Sequence, residues 1–190
     1  MTRDEVLSIL KQADVLLEGH FVLASGKHSE KYMQCAKIFR NTKYAAPLCA
    51  ELAAKFADDK IDVVVGPAMG AVQMAYEVSR HLGCENFFTE RDENGDMQLR
   101  RGFTITKGMR VLLVEDVITT GGTVMKVGDM ITDMGGVVVG LGSIVDRLGG
   151  KQLPIRYESV IKVDIQAYEP SDCPACKQGI PIVKPGSSKS

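Results

Sequence analysis

Two adjacent carboxylates, Glu115 and Asp116, end an apolar run at residues 111–114, and Val117-Ile118-Thr119-Thr120-Gly121-Gly122-Thr123 follows at once. A run of this kind reads as a buried strand, so both acids sit at its C-terminal end, where open α/β sheets bind ligands. The Thr/Gly loop then opens a helix with Val124, Val127, Ile131 and Met134 on one face. Such a loop aims backbone N–H groups and hydroxyls at a phosphate, and the helix N-terminus adds a favourable dipole. Gly121 and Gly122 let the backbone approach a ligand closely and take up positive φ. Carboxylates beside a phosphate cradle would repel the phosphate unless they face something else. Vicinal sugar hydroxyls, or a Mg²⁺ coordinated by them, satisfy both groups, so the ligand asked for is a ribose 5-phosphate. The plainer reading, acids that cap a helix followed by an ordinary turn, leaves the order of strand, acid pair and loop unexplained. No Gly-Lys-Ser/Thr follows the glycines, which excludes a Walker-type loop.

The elements that must position this loop follow from periodicity. Thr2 and Glu5 stand at capping-box spacing, and Val6, Ile9, Leu10, Ala13 and Leu17 predict an amphipathic helix over residues 3–17, ended by Gly19. Residues 20–24 and 29–36 read as two short strands around a turn at residues 25–28. A helix begins near Thr42, with Ala45, Leu48, Cys49, Leu52 and Phe56 on one face. Buried strands then alternate with helices. Strands are expected at residues 61–65, 86–89, 111–114, 137–145 and 159–165, with a helix at 71–82. Apolar strands separated by helices of this length indicate a mostly parallel sheet covered on both faces. The polar segment 91–101 is a long surface loop or an exposed hairpin, of the kind that serves as a lid. The tail, residues 184–190, has a disordered composition.

The 190 residues suffice for one well-packed domain, with 45% apolar and 25% charged residues. A net charge of -1 argues against a partner held by general phosphate attraction, so no nucleic-acid partner is expected. No stretch is apolar enough to span a bilayer, and the acidic N-terminus is unlike a signal peptide. Five scattered cysteines, Cys35, Cys49, Cys84, Cys173 and Cys176, suggest reduced thiols and a cytoplasmic setting.

The segment 111–123 resembles the signature of type I phosphoribosyltransferases, which bind phosphoribosyl pyrophosphate. The likeness extends to His20-Phe21-Val22-Leu23-Ala24-Ser25-Gly26-Lys27-His28-Ser29, to Tyr32-Met33-Gln34, to Gly66-Pro67-Ala68 and to Val145-Asp146-Arg147. These stretches are similar to the orotate-specific branch, in a short bacterial form. The resemblance implies an α/β type I phosphoribosyltransferase fold with a hood, divided as residues 1–40 (helix and hood), 41–168 (core) and 169–190 (tail). It further implies Mg²⁺-dependent transfer of phosphoribose to orotate, in pyrimidine synthesis, by a homodimer whose mobile loop reaches the neighbouring site.

Roles carried across by position place Glu115 and Asp116 on the ribose hydroxyls. Val117, Ile118, Thr119, Thr120, Gly121, Gly122 and Thr123 hold the 5′-phosphate, with Thr119 also near the base. Arg147, Lys27, Tyr32 and Met33 are assigned to orotate, and Mg²⁺ is held mainly by substrate. Arg91, Arg100 and Arg101 take the pyrophosphate clamp as the strong cations of the lid segment, where relatives often carry lysines and a histidine. Two rival readings are transfer to another base and a non-catalytic regulator on the same fold. Cys173-Pro174-Ala175-Cys176 reads as structural thiols first, a zinc pair second and a redox pair last, because no second ligand pair stands out. His20, His28 and His81 show no ligand spacing, and the methionines read as core filler.

Overall fold

The computed structural model describes residues 1–23 and 25–185. Val63–Pro67 (β3), Glu85–Arg91 (β4), Met97–Leu99 (β5), Arg110–Ile118 (β6), Val137–Asp146 (β7) and Tyr157–Lys162 (β8) form one sheet in the order β5-β4-β3-β6-β7-β8. Every neighbouring pair is parallel except β4 with β5, which closes an antiparallel hairpin at one edge. The polar segment expected as loop or hairpin is therefore the hairpin.

β6 shows why its sequence reads as continuously apolar. Leu112 and Val114 pack into one core beside Leu48, Leu52 and Phe56 of the second helix region. Val111 and Leu113 face the other core with Val124, Val127 and Ile131. A strand covered on both faces has no polar side to show. The helices that cover it are Thr42–Ala54 (α2) and Val72–Leu82 (α3) on the first face, and Gly122–Asp133 (α4) on the second. Gly128 lets α4 lie close to β6, since a Cβ there would stand 3.2 Å from Leu113 Cδ1.

The N-terminal helix is shorter than its apolar spacing predicts. α1 spans Arg3–Gln12, capped by the expected Thr2/Glu5 box, and Asp14 at φ 53 turns the chain out of the helix. Leu16 and Leu17 belong instead to β1 (Leu16–Val22), paired antiparallel with β2 (His28–Met33) as a separate two-stranded hood. Gly19 lies within β1 at an irregular register and does not end the helix. Residues Cys35–Arg40, part of which was expected as strand, form a 3₁₀ turn leading into α2. The expected disordered tail lies outside the described residues, apart from Lys184 and Pro185.

Candidate active site

The chain leaves β3 toward β4 and β5 on one side, then returns to place β6 on the other side of β3. The C-terminal ends of β3 and β6 therefore border the point where the winding reverses, the crevice in which such sheets bind ligands. A cleft of about 680 Å³ opens there. Met69 and Gly70 come from the loop after β3, and Asp116 and Val117 from the end of β6. Tyr32, Met33, Gln34, Cys35 and Ala36 descend from the hood.

Close packing fixes the β3 side of this cleft. A Cβ on Gly66 would stand 2.5 Å from the Ala71 carbonyl oxygen, so only glycine permits this strand-to-helix turn. Gly70 then runs beside the Asp116 carboxylate, 3.5 Å from a notional Cβ. Met69 is 84% exposed over the cleft, not part of the core as its residue type suggested. Met74, five residues on, is fully buried as expected.

The acids are recessed at the strand end. Burial, reinforced by repulsion from Asp116, pushes the Glu115 carboxyl up to about 8. Burial also raises Asp116, against the opposing effect of the Val117 N–H, which donates to Asp116 Oδ1 at 2.8 Å. No ion pair to either acid occurs among the described residues. Two crowded carboxylates without a counter-charge are a site for hydroxyl donors or a hard cation.

Beyond them the chain turns through Gly121 at φ 76 into α4, which has no side-chain cap. Thr119, Thr120 and Gly122 are exposed, and Thr123 is half-buried. The Gly122 N–H makes only a long contact, 3.4 Å, to Thr120 Oγ1. The open first turn of α4 thus presents N–H groups, glycine backbone and threonine hydroxyls on the same rim as the acids.

Arg147 approaches from the end of β7. Its backbone N–H donates to the Ile118 carbonyl at 2.8 Å, while Asp146 Oδ1 accepts from Leu148 N–H at 2.8 Å and holds the bend. Burial lowers the guanidinium pKa, with Cys35 and Tyr32 pulling the other way. The Tyr32 hydroxyl is raised by burial first, and it senses Cys35, Arg147 and Asp116. Tyr32, Arg147 and Asp116 therefore share one electrostatic neighbourhood. Arg147 Nε is buried without a hydrogen-bond partner among the described residues, a donor left unsatisfied.

The structure does not bring every expected residue to this cleft. Lys27 pairs with Glu169 at 2.8 Å and is not part of the lining. Arg101 forks onto Glu90 through two bonds of 2.8 and 2.9 Å, and Arg91 donates to the Gly95 carbonyl of its own turn at 2.8 Å. Arg100 is exposed, with no ion pair among the described residues. All three arginines stand on the β4–β5 hairpin and its exit, outside the cleft of this chain. Gln34, Gly70 and Gln73 also line the cleft and carry no site role in the sequence reading. Gln34 belongs to the quoted Tyr32-Met33-Gln34 stretch, and its place beside the Tyr-Met pair is the signal for its role.

An α/β sheet covered by helices on both faces, with acids and a Thr/Gly rim at its switch point, defines a class, and the chain belongs to the phosphoribosyl transferase domain family, whose pattern it matches over residues 37–172. Its relatives narrow that class. The chain is 51% identical over 190 residues, all of both chains, to orotate phosphoribosyltransferase of Caldanaerobacter subterraneus subsp. tengcongensis. It is 53% identical, again over all of both, to orotate phosphoribosyltransferase of Pelotomaculum thermopropionicum. Among solved structures it resembles Mycobacterium tuberculosis orotate phosphoribosyltransferase in complex with 5-phospho-α-D-ribosyl 1-diphosphate. That likeness has a TM-score of 0.65 at 25% identity, covering 84% of this chain and 95% of the other.

Proposed function

We propose that the chain catalyses transfer of a phosphoribosyl group from phosphoribosyl pyrophosphate to orotate, giving orotidine 5′-phosphate and pyrophosphate. The observation that carries this reading is the cleft itself. Asp116 lines the cleft, Glu115 and the open Thr/Gly rim adjoin it in the chain, and the half-buried Arg147, its Nε unsatisfied, neighbours Tyr32 of the lining.

The 5′-phosphate is held by the rim from Thr119 to Thr123, and the ribose hydroxyls donate to Glu115 and Asp116. This arrangement fixes the anomeric carbon between leaving group and base, so that little motion separates bound reactants from reaction. The bond from that carbon to pyrophosphate breaks, a bond to the orotate ring nitrogen forms as that nitrogen gives its proton to the departing pyrophosphate or to solvent, and positive charge builds on the ribose between bond breaking and bond making. The recessed carboxylates lie where that charge develops. Arg147 offers a planar fork to the orotate carboxylate or a ring carbonyl, under the hood edge at Tyr32 and Met33.

The donor set also fits Mg²⁺, a hard cation that one or two carboxylates hold together with substrate oxygens; here Glu115 and Asp116 are the residues in place. When bound, Mg²⁺ neutralises pyrophosphate charge and makes it a better leaving group. The hairpin arginines stand outside this chain's own cleft, so we assign them to a neighbouring copy's cleft in a homodimer. The five cysteines are all free, which suits a cytoplasmic enzyme.

Orotate consumption followed by ultraviolet absorbance tests the reading, with phosphoribosyl pyrophosphate and Mg²⁺ each omitted in turn. Consumption that needs both is expected. Consumption of another base in place of orotate would overturn the substrate assignment. Donor binding without turnover of any base would make the protein a regulator.

A further inference from the structure

His20 on β1 and His28 on β2 face each other across the hood hairpin, with ring centroids 4.9 Å apart. The short helix Pro174–Lys177 (α5) brings Cys173 and Cys176 against them. One ligand atom from each of the four residues lies within 4.8 Å of all the others. His20 Nε2 stands 3.1 Å from His28 Nδ1, 3.5 Å from Cys173 Sγ and 3.6 Å from Cys176 Sγ. His28 Nδ1 stands 3.2 Å from Cys176 Sγ. We propose that these four residues form a structural Zn²⁺ site that fastens the C-terminal segment to the hood.

Tetrahedral zinc, at about 2.0 Å from nitrogen and about 2.3 Å from sulfur, sets neighbouring donor atoms roughly 3.3–3.8 Å apart. The four separations given above lie in or just below that range, and the remaining two, His28 to Cys173 and Cys173 to Cys176, are at most 4.8 Å, so small side-chain shifts bring all four donors onto one ion. The tautomer is prepared as well. His20 Nδ1 lies 2.7 Å from the Ile180 carbonyl oxygen, an acceptor, so Nδ1 carries the proton and Nε2 turns its lone pair into the cluster. Metal-bound histidines are oriented by this kind of second contact. His20 and Cys173 are 4% and 0% exposed, so the charge of the site matters. Two thiolates neutralise Zn²⁺, the two thiol protons pass to solvent, and no net charge is buried.

The surrounding backbone shows what the ion would hold. Val183 N–H donates to the His20 carbonyl at 2.8 Å, and Val22 N–H to the Val183 carbonyl at 3.0 Å. His28 and Tyr168 exchange backbone bonds of 2.9 and 2.8 Å, and Ser29 Oγ donates to the Gln166 carbonyl at 2.8 Å. The C-terminal segment thus clasps both hood strands from outside. The second of those strands ends in Tyr32 and Met33, which line the active-site cleft. Zinc here holds the hood in place without entering the chemistry. Four protein ligands leave it no open position for substrate.

The competing account is a hydrogen-bonded cluster of neutral histidines and thiols, or a Cys173–Cys176 disulfide. Plasma mass spectrometry of protein purified without chelator, together with Co²⁺ exchange, separates these accounts. About one zinc per chain is expected, and Co²⁺ should give intense visible bands with thiolate charge transfer in the near ultraviolet, the signature of tetrahedral sulfur ligation. Both signals should be lost in Cys176→Ser and in His28→Gln, and stripping the metal should lower Tm by roughly 5–10 °C. Wild-type protein that holds no zinc and gives a featureless cobalt spectrum would overturn the proposal. So would metal binding that both variants retain. None of these readouts depends on turnover, so they stand or fall separately from the proposed reaction.

Discussion

Arg147 donates its backbone N–H to the carbonyl of Ile118 at 2.8 Å, so the end of β7 and the start of the Thr/Gly rim move as one piece. The bond places a guanidinium beside the rim by main chain alone, leaving the side chain free for ligand. Its Nε has no protein partner, and burial already weakens its hold on the proton. Arg147→Met should therefore raise the KM for orotate on the order of 10–100-fold, the value of a charge-assisted hydrogen bond pair, with a much smaller change in the KM for the donor. Arg147→Lys should recover little, because an ammonium cannot reproduce the fork. Equal effects on both KM values would remove Arg147 from the base side of the cleft.

Gly121 and Gly122 look equivalent in sequence but are not equivalent in space. Gly121 sits at φ 76, and an added Cβ would stand 3.1 Å from Leu153 Cδ2. Gly122 begins α4 with only Thr120 Oγ1 nearby, at 3.7 Å. Gly121→Ala should cost about 1–2 kcal/mol of stability from the left-handed backbone alone. Gly122→Ala should leave Tm nearly unchanged and still weaken donor binding, because its methyl stands on the rim that the phosphate must approach. Thermal melts beside donor titrations check both. A Gly122→Ala protein that binds donor normally would move the phosphate off this rim.

Asp116 touches the cleft, whereas Glu115 is next to it on a strand whose side chains alternate. Asp116→Asn keeps the shape and removes the charge that faces the ribose. A loss in kcat/KM on the order of 10²–10³-fold is expected, comparable to removing one preorganised electrostatic partner of a transition state. Tm should hold or rise, since one of two crowded acids is gone. Steady-state kinetics close to wild type would exclude Asp116 from the mechanism.

The β4–β5 hairpin makes a different demand. Arg101 is exposed and forms a surface pair with the half-buried Glu90, so Arg101→Ala should move the melting curve little. If the hairpin serves a neighbouring cleft, Arg100→Ala and Arg101→Ala should lower kcat or raise the KM for the donor with the orotate KM unchanged. Mixing the Arg100→Ala, Arg101→Ala double variant with Asp116→Asn protein is the decisive check. A shared site restores activity in the mixed dimers, and two self-contained sites do not.

How much of this was legible depends on how local each signal is. β6 and its loop could be read because burial on both faces, the acid pair and the glycines lie within thirteen consecutive residues. The predicted α1 runs too long because Ala13 and Leu17 continue a helical spacing; only the backbone reversal at Asp14 separates Ala13, the helix cap, from Leu17 in β1. Lys27 was assigned to the cleft by its neighbours in sequence, but the hairpin turn carries it outward to Glu169. The histidines were set aside for want of spacing, and the expectation that no second ligand pair exists is corrected by the fold. A hairpin joins residues eight apart, and the docking of residues 166–183 delivers the cysteines from far along the chain. Pairings made by tertiary docking leave no periodicity to find.

Glu115 makes the pH dependence of stability a test of the site. Its carboxyl rises from an ordinary 4.5 to about 8 in the folded protein, so between those values the folded state holds more protons than the unfolded chain. The stabilising contribution is therefore full at the acid end and is lost as pH rises through about 8, with a slope of at most about 1.4 kcal/mol per pH unit. Asp116, raised in the same direction, adds to the trend at lower pH. The Tm of ligand-free protein should fall between about pH 5 and about pH 8.5, and Glu115→Gln should flatten that fall. Donor and Mg²⁺ together should reverse it by giving the carboxylates a counter-charge, with a proton released on binding near neutral pH. Calorimetry in buffers of different ionisation enthalpy reads that proton directly. If Glu115→Gln follows the wild-type profile and no proton is released, Glu115 is already ionised in the empty cleft, and both carboxylates await the ribose as anions.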